Sequence, residues 1–258
     1  MELQCFECGQ TVTASALSEL GDAFVAHARS RHDWPYPDQS IRNYAEATQR
    51  LTGASERLAD IPDPVIRPVT PDRTEDWLDF FDHDAFAGNP AWADCYCLEP
   101  HVRPTGEQEE ESEPTPWQKT RAAMASRLCG GEAFGYLAYV DDKPAAWVNA
   151  SKRSDYSPYY RPADDRAPAE KVIGVSCFVI APPYRRHGIA DRLLDRVIQD
   201  APDRGASWVE AYPYNDPEDS DAANYRGPRS MYEKRGFESI EVRDRDTVVR
   251  LRVGDPIS

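Results

Sequence analysis

The sequence predicts a mixed α/β fold that is preceded by a small unit rich in cysteine and histidine. Residues 172–180 form a nearly unbroken apolar run, as expected of a strand buried on both faces. An apolar stripe at helical spacing follows over residues 189–198, so this strand leads into an amphipathic helix. Near the start of the chain, residues 5–32 contain two cysteines and two histidines at spacings that are typical of a zinc site.

The composition limits the class of protein. The 258 residues carry 45 acidic and 30 basic side chains, a net charge of -15, which argues against nonspecific binding of nucleic acid. No apolar run approaches the ~20 residues that span a membrane. The first residues also lack the basic and apolar parts of a signal peptide, so we expect a cytoplasmic protein without a membrane partner. The acidity indicates either adaptation to high salt or a GC-rich genome.

A metal site is predicted in the N-terminal unit, which we place at residues 1–53. Cys5, Cys8, His27 and His32 follow the pattern Cys-x2-Cys-x18-His-x4-His, which suits a zinc ion held by two thiolates and two imidazoles. A unit this small has little core and is stabilised by a metal. The alternative is a buried pair of reduced cysteines with surface histidines.

The N-terminal unit is not expected to recognise DNA. A Cys2His2 finger reads bases from the helix before its histidines, yet residues 9–26 contain neither Lys nor Arg. With the ending His-Ala-Arg-x-x-His-Asp at residues 27–33, the unit resembles a family of small metal-binding domains of unassigned function. The resemblance implies a metal and a structural or protein-contact role, with a homodimer or another protein as partner.

A second domain is predicted at residues 65–258, after a linker at residues 54–64. It begins with a short strand, and Thr70 followed by Pro71 then has the residue types of a helix start. The buried stripe of that helix comprises Trp77, Leu78 and Phe81.

Strands and helices then alternate along this domain. Residues 104–116 are strongly acidic and are interpreted as a solvated loop before a second helix. Residues 134–140 and 145–150 indicate a β-hairpin. Beyond the strand and helix named first, residues 207–212 form a further strand and residues 238–253 a terminal hairpin. This order of elements predicts a sheet with helices packed against it.

The turn between residues 180 and 189 is a predicted anion site. Its prolines end the strand, because proline cannot donate to a sheet ladder. The following helix start leaves about four backbone N–H groups without partners and carries about half a positive charge. Gly188 lets the backbone approach a ligand closely, and Arg185, Arg186 and His187 add positive charge. Together these features predict a cradle for a pyrophosphate.

Two motifs of this domain resemble those of the GNAT acetyltransferases: Arg-x-x-Gly-x-Ala at residues 185–190 and Tyr-x-x-x-Gly-Phe at residues 232–237. The resemblance spans about residues 65–253 and implies a mixed, mostly antiparallel sheet flanked by helices. It implies acetyl-CoA as cosubstrate, wedged where the parallel strands 172–180 and 207–212 splay apart. Where the family often has asparagine this chain has Tyr225, beside Asn224. The implied cofactor contacts are Phe178, Val179, Ile180, Arg185, Arg186, His187, Gly188, Ile189, Ala190 and Asn224.

Three side chains are candidates for the chemistry. The resemblance makes Tyr232 the donor of a proton to the leaving thiolate, since a phenol with a pKa near ~10 is matched to a thiol near ~8.5. The alternative is a tyrosine that only packs at a helix start. Glu210 is the candidate base; the alternatives are an ordinary ion-pair partner of an arginine, or an ordered water in its place. We do not expect an acetyl-enzyme on Cys177, because a thiol inside an apolar strand has its pKa raised.

The acceptor is expected to be a primary amine. In the resembled family the region after the first helix lines the acceptor pocket, and the candidate contacts are Trp92, Cys95, Tyr96, Cys97 and Tyr212. The two cysteines of this segment fit pocket-lining thiols better than a second metal site or a redox pair. The acidic surface favours cationic acceptors such as polyamines, aminoglycosides or lysine side chains. The alternative to an enzyme is a non-catalytic module that senses acyl-CoA or recruits a protein.

Overall fold

The computed structural model describes residues 1–5, 7–34, 38, 41–42, 44–45, 58–86, 92, 95–102, 117–162, 167–216 and 224–254. The predicted acidic loop at residues 104–116 therefore lies outside the described residues, as does most of the N-terminal half of the predicted linker. The strands are β1 Glu2–Gln4, β2 Thr11–Thr13, β3 Val65–Pro68, β4 Gly135–Val140, β5 Lys143–Asn149, β6 Val172–Val175, β7 Cys177–Ile180, β8 Trp208–Ala211, β9 Glu238–Val242 and β10 Thr247–Arg252. The α-helices are α1 Leu17–Arg31, α2 Thr74–His83, α3 Trp117–Gly130, α4 Ile189–Asp200 and α5 Arg229–Glu233.

Two four-stranded sheets form the body of the protein. One is antiparallel, in the order β3-β4-β5-β7, and the other has the order β6-β8-β10-β9 with β6 and β8 parallel. Helix α4 packs against β4, β5 and β7, and helix α2 packs against β5 and α3. Each set of helices covers its own hydrophobic cluster. The predicted mixed, mostly antiparallel arrangement flanked by helices is confirmed.

The predicted single strand at residues 172–180 is two strands. Val172–Val175 pairs with β8, whereas Cys177–Ile180 pairs with β5, and Ser176 lies between them. The apolar run cannot reveal the break, because both halves are largely buried and both suit apolar side chains. The exchange of partners opens the gap between the two sheets, since β7 leaves β8 where β6 ends.

Other local predictions hold with small changes. Trp77, Leu78 and Phe81 are buried as expected. The helix start differs, because Thr70 precedes a 3-10 turn at Pro71–Arg73 and its hydroxyl accepts a hydrogen bond from Arg73 Nη1 at 2.9 Å instead of capping the backbone. The hairpin of β4 and β5 turns through two aspartates with positive φ, a conformation that aspartate tolerates better than most residues.

The N-terminal unit has a hydrophobic cluster of its own. Strands β1 and β2 form a hairpin, and Leu20, Phe24 and Ala28 of α1 pack with Cys5 and Val12. The division into units at residues 1–53 and 65–258 stays a prediction. Among the described residues, no helix combines the length and the apolar character that crossing a membrane requires.

Candidate functional site

One cavity of about 740 Å3 connects most of the predicted site. This volume is in the range of small-molecule sites. We call residues 185–190 at one end the cradle. The acceptor end comprises the segments that contribute Phe86, Trp92, Cys95, Cys97, Glu99, Pro100 and Tyr225. Strand β7 runs between the two ends. The predicted residues that line this cavity are Trp92, Cys95, Cys97, Phe178, Val179, Ile180, Arg185, Arg186, Gly188, Ile189, Ala190 and Asn224.

The cradle offers backbone donors at the start of α4. Gly188 is the N-cap with a φ of 73°, so it adopts the left-handed region and has no side chain to cap the helix. The first helical bond runs from Arg192 N to Gly188 O at 3.2 Å, which leaves the N–H groups of Ile189, Ala190 and Asp191 at the open end of the helix. A Cβ added at Gly188 would meet nothing within 4 Å. The space in front of these donors is therefore open to a ligand.

Cationic side chains surround the cradle. Arg185 is oriented by a hydrogen bond from its Nε to the Ile180 carbonyl at 3.0 Å, and Arg186 has a positive φ of 67°. His187 is not part of the cavity wall, but its Nε2 is buried without a hydrogen-bond partner in the described part of the chain. A bound polyanion would find both guanidinium groups and helix donors on one side, which fits a pyrophosphate.

Strand β7 presents backbone amides along the cavity. Phe178 N donates to the Tyr225 carbonyl at 2.6 Å, so the amide of Phe178 points away from β5 and into the gap between the sheets. Amides alternate in direction along an extended strand, and the amide of Ile180 therefore faces the same way. The Ile180 carbonyl agrees with this direction, because it accepts its hydrogen bond from Arg185 of the cradle.

Tyr232 lies behind the cavity wall. Its side chain is fully buried, its hydroxyl donates to the Arg226 carbonyl at 2.6 Å, and burial raises its pKa above the ordinary value. It is separated from the cavity by Gly227, at which an added Cβ would lie 3.2 Å from the tyrosine oxygen. The predicted role as proton donor thus requires the hydroxyl to leave its present partner.

Glu210 is an ion-pair partner inside the sheet. Its Oε1 lies 2.7 Å from Arg153 Nη1 and 2.6 Å from Arg250 Nη2, and its side chain is fully buried. Tyr212 donates its hydroxyl to Oε2 at 3.3 Å. Neither Glu210 nor Tyr212 lines the cavity. This placement matches the alternative interpretation of Glu210, and it argues against both its role as base and the acceptor contact of Tyr212.

The acceptor end contains two of the predicted thiols but not the predicted tyrosine. Tyr96 is buried, and its hydroxyl donates to Asp82 Oδ1 at 2.8 Å, away from the cavity. Interaction with the neighbouring Cys97 thiol, together with burial, raises the pKa of Cys177 well above its usual value. Cys95 and Cys97 both line the cavity, which agrees with their interpretation as pocket-lining thiols.

Two polar residues that line the cavity were not among the predicted contacts. Glu99 begins a 3-10 helix at Glu99–His101 and lines the acceptor end. Tyr225 lines the cavity with its ring perpendicular to Trp92 at 5.7 Å, and its hydroxyl lies 2.6 Å from that of Tyr214. Glu99 belongs to no recognisable motif, whereas Tyr225 stands at the position where the resembled family often has asparagine.

The four predicted metal ligands converge in the N-terminal unit. Their ligand atoms all lie within 4.8 Å of one another. Cys5 Sγ is 3.4 Å from His32 Nε2, Cys8 Sγ is 3.5 Å from His27 Nε2, and the two Nε2 atoms are 3.3 Å apart. A zinc ion with ordinary bond lengths would separate sulfur and nitrogen ligands by about 3.6 Å and two nitrogens by about 3.3 Å. The cluster thus has the dimensions of a tetrahedral site.

A neighbouring carboxylate orients one of these histidines. Glu7 Oε1 lies 3.1 Å from His32 Nδ1, on the side of the ring opposite to the cluster. Trp34 in turn donates its indole N–H to the other carboxylate oxygen, and its ring stacks on His32 at 5.0 Å. Such a contact directs Nε2 toward a metal, because Nδ1 carries the proton.

Solved structures that are similar to this chain include two acetyltransferases. The fold is similar to that of a GNAT acetyltransferase from Streptococcus pneumoniae, at 15% identity over 74% of this chain and 100% of that one, with a TM-score of 0.42. It is also similar to the PaiA N-acetyltransferase of Thermoplasma acidophilum in complex with coenzyme A, at 13% identity over 74% and 99% of the two chains, with a TM-score of 0.44. Among proteins of curated function, no relative matches the sequence.

A family model gives the assignment directly. The model of the acetyltransferase (GNAT) family matches residues 92–237, more than half of the chain, and this range contains the cradle, β7 and most of the acceptor end. The N-terminal unit with its cysteines and histidines lies outside the matched range. From residue 92 onward, therefore, the sequence carries the pattern that defines the family, and the chain belongs to the GNAT acetyltransferases.

Proposed function

We propose that the protein is an acetyl-CoA-dependent N-acetyltransferase that acts on a primary amine by direct attack in a ternary complex. The observation that carries the proposal is the continuous cavity that joins the cradle, β7 and the acceptor end. One cavity of this kind can hold the donor and the acceptor side by side. Membership of the GNAT acetyltransferases supports acetyl-CoA as the donor.

Binding of the donor begins at the cradle. The N–H groups at the start of α4 and the two arginines receive the pyrophosphate, and the open space at Gly188 allows its close approach. The pantetheine arm then follows β7 toward Cys177. Backbone amides that point into the gap, those of Phe178 and Ile180, are the proposed donors to pantetheine and to the thioester carbonyl. The amide of Phe178 exchanges the Tyr225 carbonyl for the ligand in this step.

Transfer takes place at the far end of β7. The lone pair of the neutral amine attacks the thioester carbon, the C–N bond forms, and the C–S bond breaks with CoA leaving as the thiolate. Starting from the ammonium, the amine loses two protons overall, one of which ends on the CoA thiol and the other in solvent. In this proposal the thiolate takes its proton from solvent. Tyr232, the donor predicted from the sequence, would act only if its hydroxyl left the Arg226 carbonyl.

A covalent intermediate on Cys177 has no support in this arrangement. The thiol is buried, and its raised pKa keeps it protonated and weakly nucleophilic at neutral pH. Direct transfer is the simpler course, because donor and acceptor meet in one cavity. Mass spectrometry after incubation with acetyl-CoA alone is expected to find no acetylated Cys177.

The test of the proposed function is binding followed by turnover. Calorimetric titration with acetyl-CoA is expected to show saturable binding, and a set of primary amines is expected to release free CoA thiol only in the presence of the protein. Binding of acetyl-CoA with no turnover of any amine would favour the alternative, a module that senses acyl-CoA without catalysis. Absence of binding would contradict both.

For the N-terminal unit we propose a structural zinc ion held by Cys5, Cys8, His27 and His32, with a stabilising or protein-contact role. The distances within the cluster and the orientation of His32 by Glu7 support it. Elemental analysis is expected to find one zinc per chain, and a chelator is expected to release it together with a loss of helical signal from α1. Purified protein that is folded but contains no zinc, and that gains none on titration, would contradict the proposal.

A further inference from the structure

The acceptor end of the cavity combines apolar walls with one carboxylate. Its described lining includes Phe86, Trp92, Pro100 and Tyr225, and the only charged side chain among these described residues at this end is that of Glu99. The other charged residues of the wall, Arg185, Arg186 and Asp191, belong to the cradle and to the first turn of α4. Among the described residues of this end, a ligand therefore meets one negative charge, the exposed carboxylate of Glu99, beside apolar side chains.

We propose that the acceptor is a primary monoamine whose carbon skeleton is apolar, preferably aromatic, and that Glu99 binds its ammonium group. This inference rests on the proposed N-acetyltransferase activity and deepens it, since it names the class of acceptor and a residue that selects it.

A hydrogen bond from Tyr160 orients the carboxylate of Glu99. Tyr160 donates its hydroxyl to Glu99 Oε2 at 2.9 Å. Tyr160 is fully buried and packs edge-on against Tyr212 at 4.8 Å, so its hydroxyl has a fixed position. Burial also raises the pKa of Tyr160, and the phenol stays protonated as a donor. Oε1 of Glu99 has no protein partner within the described ranges and is available to a ligand in the cavity.

Glu99 lies at the end of the cavity where transfer would occur. Glu99 and Cys177, the first residue of β7, line the same cavity, so the carboxylate and this end of the strand face one space. This is the end of β7 that is distant from the cradle: three residues of strand place it about 10 Å from Ile180. An ammonium bound to Glu99 is then near the thioester of a donor whose pyrophosphate lies in the cradle.

The walls discriminate between classes of amine. The rings of Trp92 and Tyr225 meet at right angles with centroids 5.7 Å apart, and Phe86 and Pro100 add further apolar surface. These surfaces suit an aryl or alkyl group. A polyamine or an aminoglycoside would bring additional ammonium groups against walls whose described residues offer no second carboxylate, which is unfavourable. The expectation of polycationic acceptors, drawn from the net charge alone, is thus replaced by a local argument.

Glu99 also receives the proton that the acceptor must lose. The bound ammonium transfers one proton to the carboxylate, the neutral amine attacks the thioester carbon, and the protonated carboxyl returns its proton to solvent after the product leaves. Glu99 would in this way touch the reacting nitrogen, which Glu210 in its buried position among two arginines does not.

The test compares amines and variants in one assay of CoA thiol release. Wild-type protein is tested with 2-phenylethylamine, spermidine and kanamycin, beside Glu99→Gln and the matched control Glu170→Gln, in which an exposed glutamate of another 3-10 helix is changed. We expect 2-phenylethylamine to be preferred at least about tenfold. We expect Glu99→Gln to lower its kcat/KM on the order of 100-fold, because the variant loses both the ammonium contact and the proton acceptor. The affinity of Glu99→Gln for acetyl-CoA should change less than about twofold, because the substitution does not touch the cradle. The kcat/KM of the control variant Glu170→Gln should also change less than about twofold.

Each other outcome has a definite meaning. Preferred turnover of spermidine or kanamycin, or equal kcat/KM for Glu99→Gln and wild type, would overturn this inference and leave the proposed N-acetyltransferase activity standing. Binding of acetyl-CoA without turnover of any amine would overturn the proposed function and this inference with it. Glu99→Asp provides a second variant: a partial recovery relative to Glu99→Gln is expected, and activity below that of Glu99→Gln would contradict the role of the charge.

Discussion

The two ends of the cavity are built differently. The cradle consists of consecutive residues, and its proposed donors are backbone N–H groups at the start of α4. The acceptor end brings together side chains from the segments that contain Phe86, Cys97 and Tyr225, which are far apart in sequence. The sequence predicted the first end almost completely. For the second it predicted some walls but missed Glu99.

This difference shows which kind of site local sequence can reveal. A backbone site depends on φ, on a helix start and on the absence of a side chain, all of which a short motif specifies. A side-chain site depends on where each strand or loop lies relative to the others. Tyr232, Tyr96 and Tyr212 illustrate the point, because each has suitable chemistry but lies with its hydroxyl bonded to a protein atom outside the cavity wall.

The largest expected effect tests whether Glu210 belongs to the acceptor end at all. Glu210→Gln leaves Arg153 and Arg250 buried without their shared countercharge, and the free energy of unfolding is expected to fall by about 3–5 kcal/mol. Urea unfolding measures this loss. The turnover of the remaining folded protein should change less than about tenfold, whereas a catalytic base would contribute about 100-fold or more. A stable variant with turnover lost would restore Glu210 to the site.

The cradle is tested by one glycine with a matched control. Gly188→Asp keeps a residue that tolerates positive φ and places a carboxylate before the helix donors, so the affinity for acetyl-CoA should fall about 100-fold. Gly205→Asp is the control, because Gly205 has a φ of +77° and open space like Gly188 but lies outside the cavity wall. Calorimetry should find acetyl-CoA binding unchanged in this control. Equal losses of binding in both variants would mean that strain, and not the cradle, is responsible.

A smaller effect, on the pH dependence of stability, is expected from the buried imidazole of His101, in the same 3-10 helix as Glu99. His101 Nδ1 lies 3.1 Å from the Asp155 carbonyl and Nε2 lies 3.0 Å from Asn149 Nδ2, so the ring is neutral, donating through Nδ1 and accepting through Nε2. Burial lowers the pKa of His101 from 6.5 to about 4. Below pH 6.5, therefore, His101 is protonated in the unfolded chain, whereas in the folded chain it is protonated only below about pH 4.

Stability accordingly falls as the pH decreases through this window. Between pH 7 and pH 5 the contribution of His101 to the free energy of unfolding should decrease by about 2 kcal/mol. Urea unfolding at several pH values measures it, with His101→Gln as the control, since this variant lacks the titrating group. The slope attributed to His101 is the difference between the two proteins, and identical slopes would contradict a neutral buried ring.

The smallest expected effect concerns Tyr232. Because its hydroxyl is bonded to the Arg226 carbonyl behind Gly227, Tyr232→Phe is expected to lower kcat less than about threefold and to reduce stability by about 1 kcal/mol. Steady-state kinetics with saturating acetyl-CoA measure the first quantity and urea unfolding the second. A loss of kcat of about 100-fold would show that the hydroxyl moves to the leaving thiolate during turnover. Tyr232 would then take part in the reaction although its hydroxyl lies behind the cavity wall in the structure.

The sequence by itself determined the features that depend on neighbouring residues. The apolar runs, the stripe of α4, the φ requirement at Gly188 and the ligand spacing from Cys5 to His32 all act within a short stretch of chain. These features were sufficient for the family, the fold class and the cradle. Physically, they follow from hydrogen bonding and side-chain periodicity along one element, which do not need the rest of the molecule.

The tertiary structure decided everything that depends on which elements meet. It divided the strand at Ser176, because Val175 pairs with β8 while Cys177 pairs with β5. It placed Glu210 between two arginines from a loop and from β10, and it turned Glu99 into the cavity against a buried tyrosine. Burial and charge pairing arise from contacts between residues that are distant in sequence, and no local pattern encodes those contacts.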